Sequence, residues 1–226
     1  MKAFVILHGQ TDLDAGGRIV GGSDHALNET GKAQAREAVK ALQSKGIDMI
    51  LSSPQTHTME TAEIIAEGLG LGTGKITKGL ILRERSFGDF EGGLKSEVDM
   101  FVLCSWFGNA VTPNGETIKE TVSRVIPYMN NMIKIFRTKT MLLVVPEQVA
   151  RVLFWFFNGF PEPGKEHDTQ PDNCAIYEFD TDDIPQEIRD FSSVAALPVS
   201  SEGTDDPGRL LTQAEIDDLI EEILKK

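Results

Sequence analysis

Short apolar runs alternate with longer segments of helical periodicity through residue 180 of the chain. Most of the runs are rich in Val, Ile and Leu, which is typical of strands buried on both faces of a sheet. They lie at 3–7, 49–52, 75–80, 140–145 and 175–179. Because strand-like and helix-like segments alternate, the pattern predicts an α/β fold, a three-layer α/β/α sandwich with a mainly parallel sheet.

Helix-terminal signals accompany the segments between these runs. Asn28 is a suitable N-cap, and Gly46 is a suitable terminator for the helix that follows it. Ser53 and Pro54 are expected to provide the N-cap and the first helical residue of the next helix. The predicted helices span about 29–45, 54–67, 118–137 and 149–158.

The composition changes beyond Asp180. Residues 191–210 are rich in Ser, Asp, Gly and Pro, which predicts a flexible acidic linker. Residues 211–226 contain a capping box formed by Thr212 and Glu215 and then an apolar stripe at helical spacing. We therefore divide the chain into a domain at 1–190, a linker at 191–210 and an amphipathic C-terminal helix at 211–226.

The formal net charge of −13 is concentrated at one end of the chain. Residues 1–160 carry 17 basic and 17 acidic side chains, whereas residues 161–226 carry 5 basic and 18 acidic ones. An acidic segment of this kind repels nucleic acid and anionic membranes. Neither is therefore expected as a partner.

The expected location of the protein is cytoplasmic. No apolar run approaches the roughly 18–20 residues that a membrane helix needs. Lys2 leads directly into the first strand, with no leader segment before it. Cys104 and Cys174 have no metal-binding spacing, so both are expected to be reduced thiols.

The segment from Phe4 to Thr11 carries the strongest chemical signal in the chain. It is an apolar strand that stops on His8, which glycine follows at once. Reactive groups in open α/β sheets collect at the carboxyl ends of the strands. His8 therefore lies where a nucleophile is expected.

Several other motifs follow His8 in a recognisable order. They are Gln10-Thr11, Gly21-Gly-Ser-Asp-His-Ala-Leu27, Ser52-Ser-Pro54 with Thr61-Ala62, a Leu-x-Glu stretch at Glu84, and Gly115-Glu116 ahead of Arg124. Together they resemble the histidine phosphatase (phosphoglycerate mutase-like) superfamily over about residues 2–180. The resemblance implies the phosphoglycerate mutase-like fold and phosphoryl transfer through a phosphohistidine.

The resemblance also implies roles for single residues. His8 matches the nucleophile, and Glu84 matches the acid that protonates the leaving oxygen. The residues expected around a small phosphorylated ligand are Gln10, Thr11, Ser23, His57 and Arg85. Neither a cofactor nor a metal is implied.

The sequence departs from the family pattern at the positions that hold phosphoryl oxygens. The arginine before the nucleophile is replaced by Leu7, and the arginine after Ser-Ser-Pro is replaced by His57. Pro146 and Glu147 stand where a second His-Gly pair is expected, and Asp14 replaces an asparagine. Phosphoryl transfer depends mostly on positioning and electrostatics. The cationic side chains that the family has at these positions therefore provide most of the catalysis.

We therefore expect a superfamily member that has lost phosphoryl transfer and serves as a binding or regulatory scaffold. The alternative is a weak or divergent phosphatase that acts on a small phosphomonoester through a phosphohistidine at His8. An assay of phosphatase activity against a His8→Ala control separates the two.

The C-terminal helix has its own alternatives. Leu211–Ile220 resembles the short amino-terminal segment of the flagellar motor switch protein, a segment that docks on a response regulator, and this implies a protein partner for Leu211–Leu224. The same stripe is equally suited to pack on its own domain or to pair with a second copy in a homodimer.

Overall fold

Five strands form a single sheet in the part of the chain that the structure, a computed structural model, describes: residues 1–104, 112–162, 165 and 171–191. The strands are β1 (Lys2–Leu7), β2 (Met49–Ser52), β3 (Ile76–Lys78), β4 (Met141–Val145) and β5 (Ile176–Asp180). Their order is β3-β2-β4-β1-β5. All neighbouring pairs are parallel except β1 with β5, which is antiparallel. The mainly parallel sheet predicted from the sequence is confirmed.

Helices connect the strands and cover both faces of the sheet. They are α1 (Asp12–Ala15), α2 (Glu29–Leu42), α3 (Thr56–Gly68), α4 (Met100–Leu103), α5 (Ile118–Ile135), α6 (Glu147–Asn158) and α7 (Gln186–Arg189). The 3-10 turns are Thr73–Lys75, Leu80–Leu82, Gly88–Phe90, Lys95–Glu97 and Thr181–Asp183. The short helices α1, α4 and α7 were absent from the sequence prediction, because four residues carry too little periodicity to be recognised.

The two faces of β1 enter different hydrophobic cores. Ala3 and Val5 pack among buried side chains of α5 and α6. Phe4 and Ile6 point to the opposite face and pack among those of α2 and α3. Successive residues of a strand alternate between faces, so a strand that is apolar throughout requires a helical layer on each side. This arrangement is the predicted three-layer α/β/α sandwich.

The start of α3 differs from the prediction. The helix begins at Thr56, and neither Ser53 nor Pro54 belongs to it, because the Ser53 N–H still donates to the Val144 carbonyl at the edge of the sheet. The side chain that caps α3 comes instead from a distant loop. Asp24 accepts from the Thr56 N–H at 2.6 Å and from its hydroxyl at 2.7 Å.

Gly9 allows the end of β1 to approach α2 closely. A Cβ at this position would collide with the carbonyl oxygen of Gly31, which is backbone and cannot rotate away. We expect Gly9→Ala to lower the free energy of unfolding by about 1–3 kcal/mol, the usual cost of overpacking. Urea unfolding should compare it with Gly74→Ala, where a Cβ meets nothing within 4 Å. Equal stability of the two variants would contradict this account.

Other sequence predictions have mixed outcomes. Cys104 and Cys174 are both free, the first buried and the second partly buried. In the described part of the chain, no helix is long and apolar enough to cross a membrane. The predicted linker and C-terminal helix lie outside the described residues, apart from Phe191 at the start of the linker.

Candidate active site

His8 follows β1 directly and lies at the carboxyl edge of the sheet. Its N–H donates to the Val145 carbonyl of β4 at 3.2 Å, and the Asn173 side-chain amide donates to the His8 carbonyl at 2.8 Å. The imidazole is buried, and burial lowers the pKa of His8. Its Nδ1 lies 2.7 Å from the Gly9 carbonyl, which can only accept. The proton of the neutral ring is therefore on Nδ1, and Nε2 carries the lone pair.

His57 is the second residue of α3, and its ring lies beside that of His8. The ring centroids are 4.3 Å apart. Burial and then the neighbouring His8 ring lower the pKa of His57 to about 3. Its Nδ1 lies 3.2 Å from the His25 carbonyl, whereas its Nε2 is buried and has no hydrogen-bond partner. A histidine with this pKa is uncharged at neutral pH, so it does not replace the positive charge of an arginine.

Glu84 is the buried carboxyl group of the site. Burial raises its pKa to about 7, and the nearby Glu147 adds to the effect. Two backbone N–H groups oppose this shift: that of Arg85 lies 2.8 Å from Oε1, and that of Gln148 lies 3.2 Å from both carboxyl oxygens. The Gln148 N–H is at the first turn of α6, where the helix dipole favours a carboxylate. Because desolvation prevails over these donors, Glu84 is about half protonated at neutral pH.

These three side chains line one cleft. Its empty volume is about 370 Å³ including the part open to solvent. The lining residues are His8, Asp14, Ile19, Val20, Gly21, His57, Glu84, Phe87, Lys95, Met100, Pro146, Glu147 and Gln148. No arginine is among the lining residues of the described chain. Arg151 is not part of this lining, but its guanidinium lies 3.7 Å from Oε1 of the lining residue Glu147.

Lys95 is the cation of this cleft, and sequence reasoning missed it. Its Nζ lies 2.8 Å from Glu147 Oε2. Burial alone would lower the pKa of Lys95, but Glu147 and, more weakly, Asp14 and Glu84 raise it overall. No motif marks Lys95, because the two partners are 52 residues apart in the chain. The ammonium is thus already paired with a carboxylate of the same cleft.

Two of the predicted ligand-binding side chains serve the N-terminal loops instead. Thr11 is the N-cap of α1, and its hydroxyl and Asp14 form a capping box. The side-chain oxygen of Gln10 accepts from the Asn28 amide at 3.1 Å. Neither residue is among those that line the cleft.

Ser23 and Arg85 also lie outside the cleft lining. The Ser23 hydroxyl donates to the Val20 carbonyl and contacts His25 Nε2 at 3.0 Å. The Arg85 guanidinium is completely buried and donates to three neighbouring groups of the protein. Those acceptors are the carbonyls of Glu116 and Leu103 at 2.5 and 3.0 Å and the Thr112 hydroxyl at 2.9 Å.

The ligand types in the cleft do not form a metal centre. Within the described ranges, no group of three or more His, Cys, Asp or Glu side chains has the geometry to hold a metal ion.

The sheet is mainly parallel, a buried histidine follows its first strand, and a buried carboxylic acid lines the same cleft. These features define a protein of the histidine phosphatase type. The model of the histidine phosphatase superfamily (branch 1) matches residues 4–193, so the chain belongs to this superfamily.

Three proteins illustrate the similarity of this chain to its relatives in sequence and in structure. A 2,3-bisphosphoglycerate-dependent phosphoglycerate mutase of Methylobacterium sp. is 30% identical over 171 residues, which are 70% of this chain and 82% of the relative. The uncharacterized phosphatase PhoE of Bacillus subtilis is 30% identical over 155 residues, 69% and 76% of the two chains. The phosphoserine phosphatase of Entamoeba histolytica, solved with 3-phosphoglyceric acid, has a TM-score of 0.68 at 25% identity and covers 78% and 89%.

Proposed function

We propose that this member of the superfamily has lost phosphoryl transfer and uses the former active-site cleft as a binding or regulatory site. One observation carries the proposal. The cleft has a nucleophile and an acid but no arginine in its described lining, and its one ammonium, that of Lys95, is paired with Glu147.

The charges of the cleft are unfavourable for a phosphate dianion. His8 and His57 are neutral, and the carboxylate of Asp14 lies only 4.0 Å from His8 Nδ1. Glu147 brings a second carboxylate, which offsets the charge of Lys95. Two like charges about 6 Å apart repel by about 3 kcal/mol at an effective dielectric constant near 20. A phosphoryl group on His8 would therefore be repelled where the family chemistry requires attraction.

The expected loss of rate is large. Removal of one preorganised donor typically lowers a catalytic rate by about 10²–10³. Three such positions have changed here, and losses within one site are not additive. A penalty above about 10⁴ is still the expected result, because the cations provide most of the stabilisation of a phosphoryl-transfer transition state.

The test is turnover of p-nitrophenyl phosphate and a panel of sugar and nucleotide phosphates. Wild type and His8→Ala are expected to give the same background rate, because the wild-type cleft cannot stabilise the transition state. Lys119→Ala, a change on the surface helix α5, is the preparation control for trace contamination. A rate that disappears only in His8→Ala would overturn the proposal.

The state of Glu84 favours a second candidate, a weak phosphatase. A carboxyl group with a pKa of about 7 is suited to protonate a leaving oxygen at neutral pH. His8 also has its lone pair on Nε2, the tautomer that a nucleophile requires. The assay above decides between the candidates, since only this one predicts turnover that depends on His8.

A further inference from the structure

We propose that the cleft now binds a small molecule with a primary ammonium group, in place of the phosphate of its active relatives. The inference rests on the proposed loss of phosphoryl transfer and names the ligand class of the same site. It is carried by buried hydrogen-bond acceptors that lack donors and by the surrounding carboxylates.

His57 provides the first of these acceptors. Its Nδ1 proton is directed to the His25 carbonyl at 3.2 Å, and the low pKa keeps the ring neutral. Nε2 therefore presents a lone pair. This atom is buried, has no partner, and belongs to a residue that lines the cleft. A buried acceptor without a donor is unfavourable, and a donating ligand would remove this cost.

Gln148 provides the second acceptor. The residue is 1% exposed, and its Nε2 donates to Glu147 Oε1 at 3.4 Å. The other end of the amide, Oε1, is buried without a partner. This oxygen and the His57 nitrogen can only accept, so each would be satisfied by a ligand that carries N–H or O–H donors.

The charges of the cleft favour a ligand whose donor group is positively charged. Asp14 and Glu147 are carboxylates, and Glu84 is about half ionised at neutral pH. Lys95 demonstrates the preference within the chain itself, since its own primary ammonium is stabilised here and its pKa is raised. A primary ammonium has three donors and one positive charge, so it can donate to an unpartnered acceptor and pair with a carboxylate of the cleft at the same time.

The size of the cleft limits the ligand to a small amine. The empty volume of about 370 Å³ includes solvent at the open mouth, so the enclosed part of the cleft is smaller than this figure. Methylammonium is therefore the probe of choice. Tetramethylammonium is the matched control, because it has the same charge but no N–H donor.

The experiment is a titration of the full-length protein, labelled with ¹⁵N-histidine, at neutral pH and constant ionic strength. Methylammonium chloride is expected to shift the Nε2 resonance of His57 with a dissociation constant in about the millimolar range. Tetramethylammonium and inorganic phosphate are expected to leave it unchanged. A shift produced by tetramethylammonium to the same extent, or the absence of any shift at about 50 mM methylammonium, would overturn the proposal.

Two variants and one control test which residues of the cleft affect methylammonium binding. Gln148→Met keeps the shape of the side chain without its acceptor, and it should weaken methylammonium binding about tenfold or more, the value of a hydrogen bond to a charged group. Gln186→Met, on the exposed helix α7, should have no effect. Lys95→Met should strengthen binding about tenfold, because it removes the ammonium nearest to Glu147 and leaves only the Arg151 guanidinium, 3.7 Å from Oε1, beside that carboxylate in the described chain. Weaker binding in Lys95→Met would contradict the inference.

The two proposals can fail separately. Turnover that depends on His8 would overturn the loss of phosphoryl transfer, whatever the amine titration shows. Phosphate binding without turnover would leave that loss intact and would overturn only the ammonium ligand. Methylammonium binding with the expected response to Gln148→Met would support the inference.

Discussion

Replacing Arg85 with methionine is expected to lower the free energy of unfolding by about 3–5 kcal/mol, because three buried acceptors lose their donor at once. The acceptors are the carbonyls of Glu116 and Leu103 and the hydroxyl of Thr112, which all lie between residues 103 and 116 of the chain. The guanidinium also lies 4.7 Å from the centroid of the Phe87 ring. Urea unfolding followed by circular dichroism measures the change.

Arg85→Lys is the matched control for this variant. Lysine keeps the positive charge but lacks the planar fork that reaches several acceptors. The stability of Arg85→Lys should therefore lie between those of wild type and Arg85→Met. If Arg85 served a ligand instead of the fold, both variants would unfold within about 0.5 kcal/mol of wild type. That result would contradict the structural role described here.

Glu84 and His57 are expected to give the stability of the protein opposite dependences on pH. The folded-state pKa of Glu84 is about 7, above its ordinary 4.5, so the folded state holds the proton that the unfolded state has lost. Rising pH therefore destabilises the protein between these two values. The folded-state pKa of His57 is about 3, below its ordinary 6.5, so falling pH destabilises the protein once the unfolded chain takes up a proton.

Between pH 5 and pH 7.5, the Glu84 effect amounts to a loss of about 2 kcal/mol and the His57 effect to a gain of about 2 kcal/mol. The two nearly cancel in wild type, which should show little net dependence from this pair. Glu84→Gln should become more stable relative to wild type as pH rises, by about 2 kcal/mol. His57→Gln should become less stable relative to wild type, by about 2 kcal/mol.

Urea unfolding of the three proteins at both pH values measures these slopes. Parallel changes in all three would contradict the assignment, since the buried groups would then titrate with their ordinary pKa values. A slope that is altered in only one variant would assign the effect to that residue alone.

The sequence predicted the parts of the site that depend on local pattern. His8 could be placed because an apolar run ends on it, and Glu84 and His57 because they stand within motifs of fixed spacing. Those three side chains do line one cleft. The sheet and its two helical layers were predictable for a similar reason, because continuous apolar strands require cover on both faces.

The parts that the sequence did not predict depend on contacts between distant residues. Lys95 enters the cleft because Glu147 holds it, and no local pattern connects the two. Arg85 follows Glu84 in the chain, yet it is not part of the cleft lining, and Leu103 and Thr112 accept from its guanidinium. Ser53 has the right chemistry for an N-cap but remains part of the sheet edge, and Asp24 caps α3 from outside.

The attachment of α3 to Asp24 has an evolutionary consequence. Because the first turn of the helix is fixed by a carboxylate from another loop, the side chain at position 57 is not needed to begin it. An arginine there could give way to histidine in a single mutation while the scaffold stayed folded. If phosphoryl transfer has been lost as proposed, the change at position 57 would not have cost the protein the start of this helix.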